Sequence, residues 1–92
     1  MKVVVVDDNS EMKELIVHAI SEFNCDVVAF ENGKDAFDYI LNDETVSVVI
    51  TDLIMPVMDG LELIKCIRSL NRETYLHIIM VTGVSERESM VE

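Results

Sequence analysis

Three aspartates stand where two β-branched runs end: Asp7 and Asp8 follow Val3 to Val6 directly, and Asp52 follows Val46 to Thr51. An Asp after a strand ordinarily serves as a helix cap or turn former, so any one of them alone says little. Three that converge say more. Their ionised forms repel one another, and such a cluster either raises a pKa or binds a cation. Mg²⁺ suits it, being a hard ion that takes oxygen ligands, keeps some waters, and is usually held by one or two carboxylates plus a phosphate oxygen. A carboxylate can also be the nucleophile in phosphoryl transfer, giving an aspartyl phosphate. Thr82 ends another apolar run, His77 to Val81, where its hydroxyl could donate to a phosphoryl oxygen. Gly83 beside it leaves space for a phosphate, although turn geometry explains a glycine there equally well.

Convergence depends on the elements that carry these residues. Val3 to Val6 reads as a strand covered on both faces, the signature of a parallel sheet. Asn9 or Ser10 can cap a helix with Met12, Leu15, Ile16, Ala19, Ile20 and Phe23 at helical spacing, ending near Asn24. Asp26 to Phe30 predicts a second strand and Asn32-Gly33 a turn. A second helix then carries Ala36, Phe37, Ile40 and Leu41. Val46 to Thr51 is the third strand, followed by a loop with Pro56 and Gly60 and a helix built on Leu61, Ile64, Ile67 and Leu70. His77 to Val81 is the fourth strand, and a helix is expected to start at Ser85. This alternation means an α/β fold with parallel strands and right-handed crossovers, expected to be doubly wound, and a flavodoxin-like order 2-1-3-4 would make strands one and three neighbours. Ligands in such sheets sit beyond the carboxyl ends of the strands, where the order reverses, which is where the aspartates fall if strands one and three are neighbours.

At 92 residues the chain is one domain, with no room for a separate output module. Half of the residues are hydrophobic and 27% are charged, a globular balance. The net charge of −11, from 18 acids against 7 Lys and Arg, offers no basic stripe and argues against direct nucleic-acid binding. No signal peptide or membrane span is visible, and a cytoplasmic location is expected. Cys25 and Cys66 are too few and too isolated for a disulfide framework or zinc site.

The runs VVVVDDNSEMKELI, VVITDLIMPVMDGLELI and IIMVTG, in that order, resemble the receiver domains of two-component response regulators over essentially the whole chain. The resemblance implies a receiver domain spanning residues 1–92, with Asp52 phosphorylated by a histidine kinase or histidine phosphotransfer protein. It implies that Asp8 ligates Mg²⁺ directly and Asp7 mainly through water, and that the main-chain carbonyl of Ile54 completes the protein ligands. Thr82 would be drawn toward the phosphoryl group, with Gly83 next to it, biasing an equilibrium between two surface states. Such a domain signals and assists its own phosphoryl transfer; it is not an enzyme in the turnover sense.

The sequence departs from the family pattern at its carboxyl end. The family's fifth strand, fifth helix, phosphoryl-contacting Lys and aromatic switch residue are expected to be missing, leaving a receiver domain incomplete at its C-terminus. No Lys of this chain takes the catalytic role, since Lys2, Lys13, Lys34 and Lys65 fall at the first strand's start or on helices. Loss of that cation should weaken transfer. An unprotected fourth strand and a first helix without its neighbour should promote self-association. Ile54 and Val84, apolar where polar residues help place an attacking water in the family, predict slow loss of phosphate.

Three other readings compete. The acidic trio could persist in a non-phosphorylated pseudo-receiver or fragment that acts as a protein-interaction module. A haloacid-dehalogenase phosphatase would need a second Asp two places beyond its nucleophile, which Asp7-Asp8-Asn9 does not supply. A flavin site would need a phosphate-binding loop where Asp8 to Glu11 would repel the phosphate.

Overall fold

Val3, Val4, Val5 and Val6 are all buried, and they form the heart of β1 (Lys2–Val6) because both faces of this strand are covered. The computed structural model describes residues 1–55 and 57–81. Among these, β1 is followed by α1 (Ser10–Ser21), β2 (Asp26–Phe30), α2 (Gly33–Leu41), β3 (Val46–Asp52), α3 (Gly60–Arg68) and β4 (His77–Val81). All strand pairs are parallel and their order is β2-β1-β3-β4. The sheet is doubly wound, as expected. Val4, Val6, Val46 and Val49 pack under α2 and α3 with Ala36, Ile40, Leu63 and Ile67. Val3, Val5 and Ile50 meet Ile16, Val17 and Ile20 of α1 on the opposite face.

A register slip lets one strand serve both layers. Lys2 lies opposite Val46 but Val3 lies opposite Val48, so β3 carries one extra residue at its start. Without it, Val46 and Val48 would point the same way; with it, Val46 joins the α2–α3 core and Val48 the α1 side.

The helices differ in detail from their sequence reading. Asn32-Gly33 is a helix start instead of a turn: the Asn32 side chain accepts from the Asp35 amide at 2.9 Å and Gly33 is the first helical residue. In α1 the sheet face is Ile16, Val17 and Ile20, while Leu15 and Phe23 are exposed. A short amphipathic helix offers two overlapping stripes, and only the crossing over the sheet selects one. α1 ends at Ser21, sooner than expected, and Asn24 takes the left-handed conformation (φ 54°) that Asn tolerates. In α3 the buried anchors are Leu63 and Ile67, with Leu61 turned outward.

Lys2 Nζ bonds the Asp43 carboxylate at 2.6 Å and the Tyr39 hydroxyl at 3.0 Å, tying the start of β1 to the α2–β3 loop. Arg72 closes the same end, donating to the carbonyls of Glu44 and Val46 at 2.9 Å each. Cys25 and Cys66 are both free thiols, half-buried. No helix among the described residues is long and apolar enough to cross a membrane.

Candidate functional site

The β1–β3 register sets the site. Val6 lies opposite Thr51, so the next residues, Asp7 and Asp52, leave the sheet side by side. The chain after β1 passes to one face through α1 and the chain after β3 to the other through α3, which opens a crevice between them at the carboxyl edge. Asp7, Asp8 and Asp52 each place one carboxylate oxygen there, all within 4.8 Å of one another.

Local chemistry fixes each of the three. The Asp7 amide donates to the Phe30 carbonyl at 3.1 Å, prolonging the β1–β2 ladder, and its carboxylate accepts from the Asn9 amide at 2.9 Å. Asn9 in turn caps α1, its side chain accepting from the Met12 amide at 3.1 Å. Asp8 lies between these two anchors with its side chain exposed. Asp52 is 8% exposed and Asp7 3%, and the Asp52 carboxylate accepts from the Leu53 amide at 2.8 Å.

The donor set is oxygen only, which suits a hard divalent cation. Donors sharing one Mg²⁺ lie at most about 4.2 Å apart, twice a Mg–O bond of about 2.1 Å. A cluster gathered within 4.8 Å is therefore of the size that one such ion can span, taking a carboxylate directly or through a water.

Ile54, proposed from the sequence as a main-chain ligand, lies in the loop after Asp52 with its side chain exposed. That loop is closed by the Gly60 amide donating to the Leu53 carbonyl at 2.8 Å. Gly60 must lack a side chain, because a Cβ there would collide with the Asp52 carbonyl oxygen. Asp59 then caps α3, accepting from the Glu62 amide at 2.9 Å. Between these ties Val57 has φ 71°, a conformation that β-branched residues rarely adopt. Thr82, Gly83, Val84, Pro56 and the helix start at Ser85 lie outside the described residues.

Among the lysines, Lys2 is bound to Asp43 at the far end of the sheet, Lys34 pairs with Asp38 at 3.4 Å and Lys13 with Glu31 at 3.9 Å. Sequence reasoning missed Gly33 and Met58 as partners of the site loop. The Gly33 amide donates to the Met58 carbonyl at 3.2 Å. A glycine in the first turn of a helix sacrifices helix propensity, which points to a close approach once the helix start is known but does not say which atom approaches.

Residues 3–92 match the family model for the response regulator receiver domain. The chain is 42% identical over 83 residues to a chemotaxis protein CheY homolog of Campylobacter jejuni, covering 89% of this chain and 64% of that relative. It is 40% identical over 83 residues to chemotaxis protein CheY1 of Helicobacter pylori, covering 89% of this chain and 67% of that one. In structure it is similar to a response regulator receiver protein from Pseudomonas putida, with TM-score 0.80 and 33% identity over 98% of this chain and 74% of the other. The chain thus spans about two thirds of the length of these curated relatives.

Proposed function

This chain belongs to the response regulator receiver domain family, and on that premise we propose that it accepts a phosphoryl group on Asp52 from the histidine of a kinase or phosphotransfer protein. The observation that carries the proposal is the meeting of Asp7, Asp8 and Asp52, from two separate strand ends, within 4.8 Å. In the reaction an Asp52 carboxylate oxygen attacks the phosphorus of the phosphohistidine, the P–N bond breaks, and the imidazole leaves with the bonding pair. Mg²⁺, when bound, would offset the charge of the carboxylates and of the transferring oxygens. Asp8, exposed at the crevice mouth, would hold the ion directly together with Asp52 and the Ile54 carbonyl, and Asp7 mainly through water. The turn from Asp7 to Asn9 holds Asp8 in place, and the Leu53 amide orients Asp52.

Beyond β4, Thr82 donates its hydroxyl to the phosphoryl group and Gly83 leaves room for it; the family match across residues 3–92 supports both roles. Residues 1–92 act as one receiver unit, a signalling domain in the cytoplasm that makes no direct nucleic-acid contact, in keeping with its net charge of −11. The 92-residue chain also self-associates, a reading supported by the exposed Ile79 on β4 and Leu15 on α1.

Incubation with acetyl phosphate and Mg²⁺ tests the central reaction. One phosphoryl group should appear per chain, labile to hydroxylamine, and be absent from Asp52→Ala. Failure to label the native chain under any donor would leave the interaction-module reading in its place.

A further inference from the structure

We propose that Gly33 is a positioning residue for the Asp52 site: the amino end of α2, seated on the Met58 carbonyl, braces the β3–α3 loop, and only a residue without a side chain permits that seat. The inference rests on the metal and phosphoryl reading of Asp52 above and concerns how the loop leaving that residue is held in place.

The contact is tight from both sides. The Gly33 amide donates to the Met58 carbonyl at 3.2 Å, and a Cβ on Gly33 would stand 2.5 Å from the Met58 carbonyl oxygen and 3.1 Å from its Cβ and Cγ. A relaxed carbon–oxygen contact needs about 3.3 Å. Space is therefore the reason for glycine, since none of the described glycines has a positive φ.

Of the two partners, α2 is the one that cannot retreat. Its start is pinned by Asn32, which accepts from the Asp35 amide at 2.9 Å and donates to the Asp35 carboxylate at 3.2 Å. Its inner face, Ala36 and Ile40, is fully packed on the sheet. The loop is freer. It is tied at Gly60 to Leu53 and by the buried Met55 side chain, while Ile54 and Val57 are 58% and 74% exposed. Val57 is also held at φ 71°, and strain of that kind persists only where neighbouring contacts over-determine it. The seat of Met58 on Gly33, one residue further on, is such a contact. A methyl group at position 33 would thus push the loop away from α2 by roughly 0.8 Å, the shortfall from a relaxed contact. Displacements of that size at a reacting or ligating centre are costly.

The test uses the full chain labelled with ¹⁵N, with amide spectra recorded first without metal and then through a MgCl₂ titration. Gly33→Ala should move the amide resonances of Leu53, Ile54, Met58 and Gly60 before any metal is added, and weaken Mg²⁺ binding by about 10-fold or more. Asn32→Ala loosens the first turn of α2 without adding bulk and should weaken Mg²⁺ binding in the same direction by a smaller factor. Ile40→Val, at the other end of α2, should lower the unfolding midpoint while leaving both the loop resonances and Mg²⁺ affinity native. Gly33→Ala with native loop resonances, or with Mg²⁺ affinity no weaker than that of Ile40→Val, overturns the proposal. Should Gly33→Ala not fold, Asn32→Ala decides, and native Mg²⁺ binding with native loop resonances in that variant overturns it. If the native chain binds no Mg²⁺ at all, the metal reading of Asp52 fails, yet the metal-free loop resonances of Gly33→Ala still decide whether the brace exists.

Discussion

Asp52 and Asp7 are buried carboxylates sharing a small space with Asp8, so their ionised forms oppose one another in the absence of a cation. Binding a cation to the folded state alone stabilises it by RT ln(1 + [L]/Kd), about 1.4 kcal/mol at ten times Kd. For a chain of this size that corresponds to a rise in Tm of roughly 6–10 °C. We expect MgCl₂ to produce such a rise in the native protein and almost none in Asp52→Asn. In EDTA, conversely, Asp52→Asn should melt above the native chain because one of the repelling charges is gone; scanning calorimetry of both proteins with and without metal checks the two signs together. Val57 supplies a second residue-scale prediction. A β-branched residue in the left-handed region costs about 1–2 kcal/mol, whereas Asn adopts that conformation readily. As the Val57 side chain is exposed and buries little, Val57→Asn should stabilise the fold by about 1 kcal/mol in urea denaturation. An unchanged or lowered midpoint would mean that the valine makes compensating contacts.

At the scale of elements, the end of the sheet opposite the site is fastened by one ion pair that joins β1 to the α2–β3 loop. The Lys2 ammonium, by its hydrogen bond, holds the Asp43 carboxyl well below the usual carboxylate range, helped by the Thr45 hydroxyl and amide. The same bond to Asp43, followed by the one to Tyr39, raises the Lys2 ammonium above its ordinary value. Asp43 is therefore bound more strongly as the anion, and its contribution is complete above about pH 4 and fades as pH falls through the depressed folded value. Lys2 contributes fully below about pH 10 and fades as pH rises through its elevated folded value. Both partners are partly exposed, so the effect is modest and falls with salt. Asp43→Asn should lower stability by a nearly constant amount between about pH 5 and pH 9, and that deficit should shrink toward pH 2. A deficit that grew on acidification would contradict the pair. The loss should leave Mg²⁺ binding intact, because the pair sits at the amino edge of the sheet and the aspartates at the carboxyl edge.

At the scale of the whole molecule, the two layers formed by the described residues are unequal. Among the described residues, the α2–α3 side encloses ten buried core residues and the α1 side three, and no residue of α1 is fully buried. On the thin side Ile79 of β4 and Leu15 of α1 remain more than half exposed. Apolar surface beside the edge of a sheet is a template for pairing, and a Lys placed there blunts it. Sedimentation velocity at rising concentration should show the native chain moving from monomer to dimer, with Ile79→Lys staying monomeric. A native chain that remains a monomer at millimolar concentration would remove the self-association reading. Salt should strengthen the dimer, since a net charge of −11 on each copy opposes contact at low ionic strength.

Much of this was legible in the residues themselves. Runs such as Val3 to Val6 and Val46 to Thr51 admit only buried strands, and alternation with amphipathic helices leaves a parallel α/β sheet as the solution. The order β2-β1-β3-β4 was expected from the receiver-domain resemblance and not from the alternation, and once β1 and β3 are neighbours the grouping of Asp7, Asp8 and Asp52 follows, because side chains at strand ends are placed by backbone topology. Tertiary structure alone decided three matters. It chose Ile16, Val17 and Ile20 over Leu15 and Phe23 as the inner stripe of α1, since helical periodicity leaves the rotation free until a sheet is crossed. It shifted β3 by one residue against Lys2, sending Val46 and Val48 to opposite layers, a choice that uniform β-branched runs cannot encode. It also turned Asn32-Gly33 from a turn into a helix start pressed on Met58, because the need for an absent side chain comes from an atom 25 residues away, which local sequence does not specify.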